Sequence, residues 1–180
     1  MVRIFSMRIF AALLLWVATT GHAQLRNVEG IDNYIEITPK LSVSGQPTAA
    51  QLERFKALGI EAVVYIAPPQ VGTSVREEPL LLGRQGLLDA NIPVNFGNPT
   101  QADFDAFAAV LSAWKDKRVH VHCQVNMRGS VFMFLYRVIH DKVPAEQAYE
   151  IVRRIWVPDP VWRKFLVDTL RQRGIAFDPL

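Results

Sequence analysis

A single thiol, Cys123, stands in the stretch from Val119 to Ser130, with His120 and His122 before it and Arg128 after it. Its flanks set its chemistry. Val119 to His122 alternates β-branched residues with histidines and reads as a strand, while the chain from about Arg128 reads as a helix. The residues between form a loop that ends at a helix N-terminus. Such a loop points backbone N–H groups into a concavity, and the helix end adds partial positive charge, so the place favours an anion. The same field favours a thiolate over a thiol, and Arg128 adds to it. A thiolate is the reactive nucleophile, so one arrangement both holds an oxyanion and attacks it. A guanidinium also grips two oxygens of a phosphoryl group at once. The candidate catalytic residues are therefore Cys123 and Arg128, with Gln124, Val125, Asn126, Met127, Gly129 and Ser130 supplying the anion-binding loop.

Plainer readings of the same residues stay open. A lone cysteine makes no internal disulfide, so the thiol is inert in the core, intermolecular or functional. His120, His122 and Cys123 form a cluster of three that would need a distant fourth ligand to hold a structural metal.

The elements that must position this loop follow from patterning. Tyr34 to Thr38, Leu41 to Ser44, Ile60 to Ile66, Ile92 to Val94 and Val119 to His122 read as short strands. Thr48 and Gln51 fit a capping box at a helix start, with Leu52, Phe55 and Leu58 behind it and Gly59 at its end. Glu77 to Leu88 reads as a helix weakened by Gly83 and Gly86. A helix after Pro99-Thr100 places Phe104, Phe107, Ala108, Leu111 and Trp114 on one face. The helix from about Arg128 is apolar on nearly all sides and belongs at the centre. Two more follow, one opened by Pro144 and one by Asp159-Pro160. Strands alternating with helices predict a single α/β domain, with a central, mostly parallel sheet flanked by helices on both faces.

Residues 1–23 read as a secretory signal peptide: Arg3 and Arg8 precede a ten-residue apolar run, Ile9 to Ala18, and Gly21-His22-Ala23 offers small residues at the cut. That run is about half of what spans a bilayer, so no stable membrane anchor is expected after cleavage. Residues 24–33 read as a poorly ordered lead-in and residues 34–180 as the domain, periplasmic or secreted. The whole chain carries 20 Lys and Arg against 17 Asp and Glu, a net charge of +3. Without Arg3 and Arg8 it falls to +1, which gives no support for nucleic-acid binding.

The loop and its flanks resemble the dual-specificity branch of the protein tyrosine phosphatase superfamily, and within it the bacterial phosphatase-like domain also found fused to β-lactamase-like hydrolases. The resemblance rests on Ser44 to Pro47, on Ile92 to Val94, on His122-Cys123 with Arg128 and Ser130, on Arg128 to Arg137, and on Pro144 to Ala148. It implies a cysteine-phosphatase fold, His122 hydrogen-bonded to the loop from beneath, and Ser130 stabilising the thiolate as a leaving group. Two departures stand out. The superfamily places five residues between cysteine and arginine, whereas Cys123 and Arg128 have four between them. Either the loop is one residue short, or the cysteine-to-serine spacing is kept, Asn126 takes a position usually held by glycine, and the arginine stands one place early with Gly129 in its slot. On a helix one position turns a side chain by about 100°. The superfamily's acid, an aspartate on the loop matching Val94 to Pro99, is replaced by Asn95, which cannot donate a proton as an acid; Asp103 and Asp105 lie nearby. A four-residue spacing is also similar to rhodanese-like sulfurtransferases, whose cysteine carries a persulfide.

Three functions are thus expected from this loop: a phosphatase-like hydrolase acting on phosphomonoesters through a phosphocysteine at Cys123, a sulfurtransferase through a Cys123 persulfide, or a non-catalytic anion- or phosphoprotein-binding module. The partner in each case is a phosphorylated or other oxyanion species, and none of the three calls for a metal or organic cofactor.

Overall fold

The described residues form five strands, each only four residues long, and six helices, which alternate with the strands over residues 41–139. The computed structural model describes residues 30–179, so the expected signal peptide and residues 24–29 lie outside the described residues. In chain order the elements are β1 (Ile35–Thr38), β2 (Leu41–Ser44), α1 (Ala49–Leu52), β3 (Ala62–Tyr65), α2 (Glu78–Arg84), β4 (Leu88–Asn91), α3 (Gln101–Ala113), β5 (Val119–His122), α4 (Met127–Ile139), α5 (Ala145–Arg153) and α6 (Pro160–Arg171). The sheet order is β1-β2-β5-β3-β4. Only β1 runs antiparallel; β2, β5, β3 and β4 are parallel and in register, so Ser44, His122, Tyr65 and Asn91 end together along one edge. Loops that leave this edge are where open α/β sheets bind ligands. The expected architecture, one α/β domain with a mostly parallel sheet between helices, is the one observed.

The two faces carry separate cores. Val64, Val119 and Val121 pack with residues of α3 to α6, including Phe104, Phe107, Phe132, Phe134, Trp162 and Leu166. On the other side Val63 packs with Leu52, Phe55, Ile60, Leu81, Leu82 and Leu87 around α1 and α2. Helix α4 is buried from Arg128 to Tyr136, which is what its apolar circumference predicts. Each fully buried Phe or Leu of this kind contributes about 1.5–3 kcal/mol.

Three expectations need correction. Residues 30–33, placed in a poorly ordered lead-in, are packed: Ile31 is buried in the smaller core, and Asn33 bonds to the cysteine loop. Helix α2 stops at Arg84 rather than Leu88, because Gly86 takes a positive φ of 69° and turns the chain. The fourth strand is consequently Leu88–Asn91, and Ile92 to Val94 lies beyond it. Its partners in β3 are Ala62 to Tyr65. As an edge strand it carries Asp89 and Asn91, and these polar residues hid it from a search for apolar runs.

Candidate active site

Cys123 follows the last residue of β5, the central strand, at the edge where the parallel strands end. Its N–H donates to the Ser44 carbonyl at 3.3 Å, and its side chain is fully buried. Two neighbouring segments hold the loop that follows. Gln46 N–H donates to the Gln124 carbonyl at 3.0 Å, and Gly45 pairs with Val125 in an antiparallel bridge. A Cβ on Gly45 would sit 3.0 Å from the Gln124 oxygen and 3.1 Å from the Asp32 oxygen, so the close approach needs glycine. From the other side Asn33 Nδ2 donates to the Val125 carbonyl at 2.9 Å, and Asn126 Nδ2 returns a bond of 2.7 Å to the Asn33 carbonyl. The carbonyls of Gln124 and Val125 are thereby tied outward. The N–H groups of Gln124, Val125, Met127, Arg128 and Gly129 have no hydrogen-bond acceptor among the described residues, while the bridge of Gly45 with Val125 turns the Asn126 N–H toward the Ser44 carbonyl. A set of such amides ending at the first turn of a thirteen-residue helix is a cradle for an anion.

Asn126, at the N-cap of α4, takes the left-handed conformation at φ 67°. That is the backbone role of the superfamily's glycine, and it favours the alignment without a gap, in which the arginine stands one place early. Asparagine adopts this region more readily than most residues. Gly129 is fixed by the same side chain, since a Cβ there would fall 2.5 Å from Asn126 Oδ1.

Arg128 is buried beside the loop. Its Nε donates to the Val94 carbonyl at 3.0 Å and its Nη1 to Gln124 Oε1 at 3.2 Å, and its guanidinium lies 5.0 Å from the centre of the Phe96 ring. Nη2 makes no hydrogen bond among the described residues. The guanidinium is thus braced by the Val94–Phe96 segment, with one free donor edge.

Two supporting roles implied by the resemblance are filled differently. Ser130 Oγ donates to the Met127 carbonyl at 2.9 Å and accepts from Trp156 Nε1 at 3.3 Å, so its hydroxyl locks the first turn of α4 instead of facing the sulfur. His122 does not bond to the loop. Its Nε2 lies 2.6 Å from Glu78 Oε1, its ring stacks on Tyr65, and its Nδ1 is buried without a partner. His120 is equally occupied: Ser42 Oγ sits 2.9 Å from Nδ1 and Ser44 Oγ 2.9 Å from Nε2. Because Ser44 Oγ gives its only proton to the Gly45 carbonyl, it must accept from His120 Nε2–H, and Nδ1 then accepts from Ser42. Burial, with His122 alongside, pushes the His120 imidazole well below its usual range and keeps it neutral. Both nitrogens of His120 and Nε2 of His122 are engaged, and no group of three His, Cys, Asp or Glu side chains that could hold a metal is gathered among the described residues.

Across from the cysteine loop, Asn95 Oδ1 accepts from Gly97 N–H at 2.9 Å and shapes a turn. Asp103 Oδ2 accepts from Thr100 N–H and its hydroxyl in a capping box, and Asp105 pairs with Arg173 at 2.8 Å. Both carboxylates serve α3. Sequence reasoning missed Glu78 and Trp156, which touch His122 and Ser130. Their only signals were a carboxylate in the first turn of a weak helix and a lone tryptophan after α5.

No protein-family model and no curated protein sequence matches the chain. Solved structures do. A DUF442 protein of Shewanella putrefaciens CN-32, provisionally named a phosphatase, superposes with a TM-score of 0.74 at 28% identity, covering 81% of this chain and 96% of its own. PTPMT1 in complex with PI(5)P superposes at 0.64 with 15% identity, over 79% and 97% of the two chains. The catalytic core of the PP-IP phosphatase SIW14 from S. cerevisiae, in complex with citrate, gives 0.64 at 12% identity over 80% and 92%. The last two, at such low identity, show likeness of fold alone. Taken with the strand–Cys123–helix arrangement, these superpositions show that the chain has the fold of these phosphatases and is similar over most of its length to the DUF442 protein.

Proposed function

We propose that the chain is a cysteine-dependent phosphatase-like hydrolase acting on phosphomonoesters. The observation that carries this reading is the set of amides of Gln124, Val125, Met127, Arg128 and Gly129, without a partner among the described residues, around the start of α4, directly after Cys123 and beside the braced Arg128. In the first step the Cys123 thiolate attacks phosphorus, the P–O bond to the leaving group breaks, and that oxygen takes its proton from solvent. In the second, water attacks phosphorus, the S–P bond breaks, and phosphate and the thiolate are released as the water proton passes to solvent. The amides and the free Nη2 edge of Arg128 offset charge on the phosphoryl oxygens throughout. That structural neighbours hold PI(5)P and citrate supports an oxyanion ligand. The leader at residues 1–23 supports export to the periplasm or beyond.

A second reading, sulfur transfer through a Cys123 persulfide, is favoured by the four-residue spacing to Arg128 and by Asn95, since that chemistry needs no acid on the facing loop. The test is p-nitrophenyl phosphate hydrolysis beside thiosulfate-to-cyanide transfer, each with Cys123→Ser as control. Phosphate release that is lost on substitution supports the hydrolase. Thiocyanate formation without phosphate release supports sulfur transfer, and phosphate binding with neither turnover leaves a binding module.

A further inference from the structure

A buried carboxylate outside the proposed catalytic residues is Glu78, at the first position of α2 and only 4% exposed. Its two carboxylate oxygens face two different supports of the cysteine loop. Oε1 accepts from His122 Nε2 at 2.6 Å, and His122 is the residue immediately before Cys123. Oε2 accepts from Gln46 Nε2 at 3.1 Å, and the same Gln46 uses its backbone N–H to hold the Gln124 carbonyl outward. The buried carboxylate thus ties the end of β5 to the Ser44–Pro47 turn, and that turn shapes the first residue of the anion cradle. The remaining polar atoms of this cluster, His122 Nδ1 and Gln46 Oε1, are buried with no partner. Polar groups are left this way at a cost, and the bonds to Glu78 hold both side chains together with the Gln46 Nε2 bond to the Pro47 carbonyl at 3.3 Å and the stacking of His122 on Tyr65.

We infer that Glu78 is a positioning residue for the oxyanion cradle, acting through His122 and Gln46 and not by touching the substrate; this rests on the reading that the loop after Cys123 holds an oxyanion. The titratable groups coupled to it are Tyr65 on β3, Asp89 on β4 and His122 on β5. Burial pushes the Tyr65 phenol up, and the charges of Glu78 and Cys123 push it the same way, which locates all three in one electrostatic neighbourhood.

Geometry and charge are separable at this site. In Glu78→Gln the amide oxygen can still accept from His122 Nε2–H, and the amide N–H₂ can donate to the Gln46 oxygen that now lacks a partner once that side chain flips. Glu78→Ala loses both links. The experiment is a titration of the full chain with inorganic phosphate, read as Kd, with thermal melting of each variant in parallel. Expected are a Kd about tenfold weaker or more for Glu78→Ala, recovery to near the parent value in Glu78→Gln, and a smaller loss in Gln46→Ala, which keeps the backbone bond to Gln124. If Glu78→Ala does not fold, the other two variants still decide. A folded Glu78→Ala or Gln46→Ala that binds phosphate as the parent does would overturn the inference and leave Glu78 a stabiliser only. A Glu78→Gln as impaired as the alanine variant would also overturn it, because charge and not placement would then be responsible. If the parent itself binds no phosphate, the oxyanion site falls and this inference with it, a result distinct from the other two.

Discussion

Two loops at the same edge of the sheet are built to opposite specifications. The loop after Cys123 has the carbonyls of Gln124 and Val125 pulled outward by Gln46 and Asn33, its backbone bent through a left-handed Asn126, and the amides of Gln124 and Val125 without an acceptor among the described residues. The segment from Val94 to Thr100 has no free chemistry. Asn95 closes a turn, the Val94 carbonyl braces Arg128, the Phe96 carbonyl accepts from Trp162 Nε1, and Thr100 and Asp103 cap a helix. On the proposed function the first loop holds an oxyanion and attacks it, while the second braces Arg128 and carries Asn95 in place of an acid. The difference teaches that grip and nucleophile can persist in a phosphatase fold where the leaving-group acid does not, and that such a site depends on how well the leaving group departs unaided.

The largest effect expected on that contrast is removal of the nucleophile. Cys123→Ser should lower phosphate release from p-nitrophenyl phosphate by roughly 10³-fold or more while phosphate still binds; retained turnover would place the chemistry elsewhere. Next comes the leaving group. Without an acid, turnover of a simple alkyl phosphate should trail the nitrophenyl ester by about 10²–10⁴ beyond what binding explains. Asn95→Asp keeps an oxygen for Gly97 N–H and adds a proton donor. It should narrow that gap and add a descending limb at high pH to the rate profile, and a profile unchanged by Asn95→Asp would remove that segment from the mechanism.

The cradle itself is broken most cheaply at Asn126. Asn126→Ala forces a left-handed backbone on alanine and loses the bond to Asn33, which should cost roughly 2 kcal/mol in denaturant unfolding. Asn126→Gly should cost less because it keeps the backbone freedom. Equal losses would mean that the bond to Asn33, and not the φ of 67°, matters.

Smallest is a pH effect on stability from beneath the loop. The folded chain keeps His120 neutral because burial lowers its pKa well below 6.5. The unfolded chain takes up that proton as pH falls through 6.5, so the stabilisation is complete above that value and is lost below it, by at most about 1.4 kcal/mol per pH unit. Thermal melts from pH 7.5 to 5 should show the decline, and His120→Gln should flatten it.

The parts of the molecule legible in the sequence are those where one residue type answers one local demand. The Thr48–Gln51 capping box, the Asp159 cap with Pro160 behind it, and the apolar circumference of α4 all appear where patterning puts them. Asn126 at the left-handed position was legible for the same reason. The strand Leu88–Asn91 was not, because an edge strand tolerates polar residues and its identity comes from pairing with β3. The bonds of His122 and Ser130 were illegible for a different reason: Glu78 and Trp156 lie 44 and 26 residues away in the chain, and only tertiary packing brings them there. Arg128 was visible as a cation beside the loop, but not its anchoring on the Val94 carbonyl.

The central claim, that the Cys123 sulfur forms a bond to phosphorus, is tested most directly by rapid acid quench of the chain with p-nitrophenyl phosphate, followed by mass spectrometry of the peptide containing residue 123. A phosphoryl adduct on Cys123 that forms with the burst of nitrophenol and is absent in Cys123→Ser is the predicted result. Steady phosphate release with no adduct on that peptide at any quench time would contradict it.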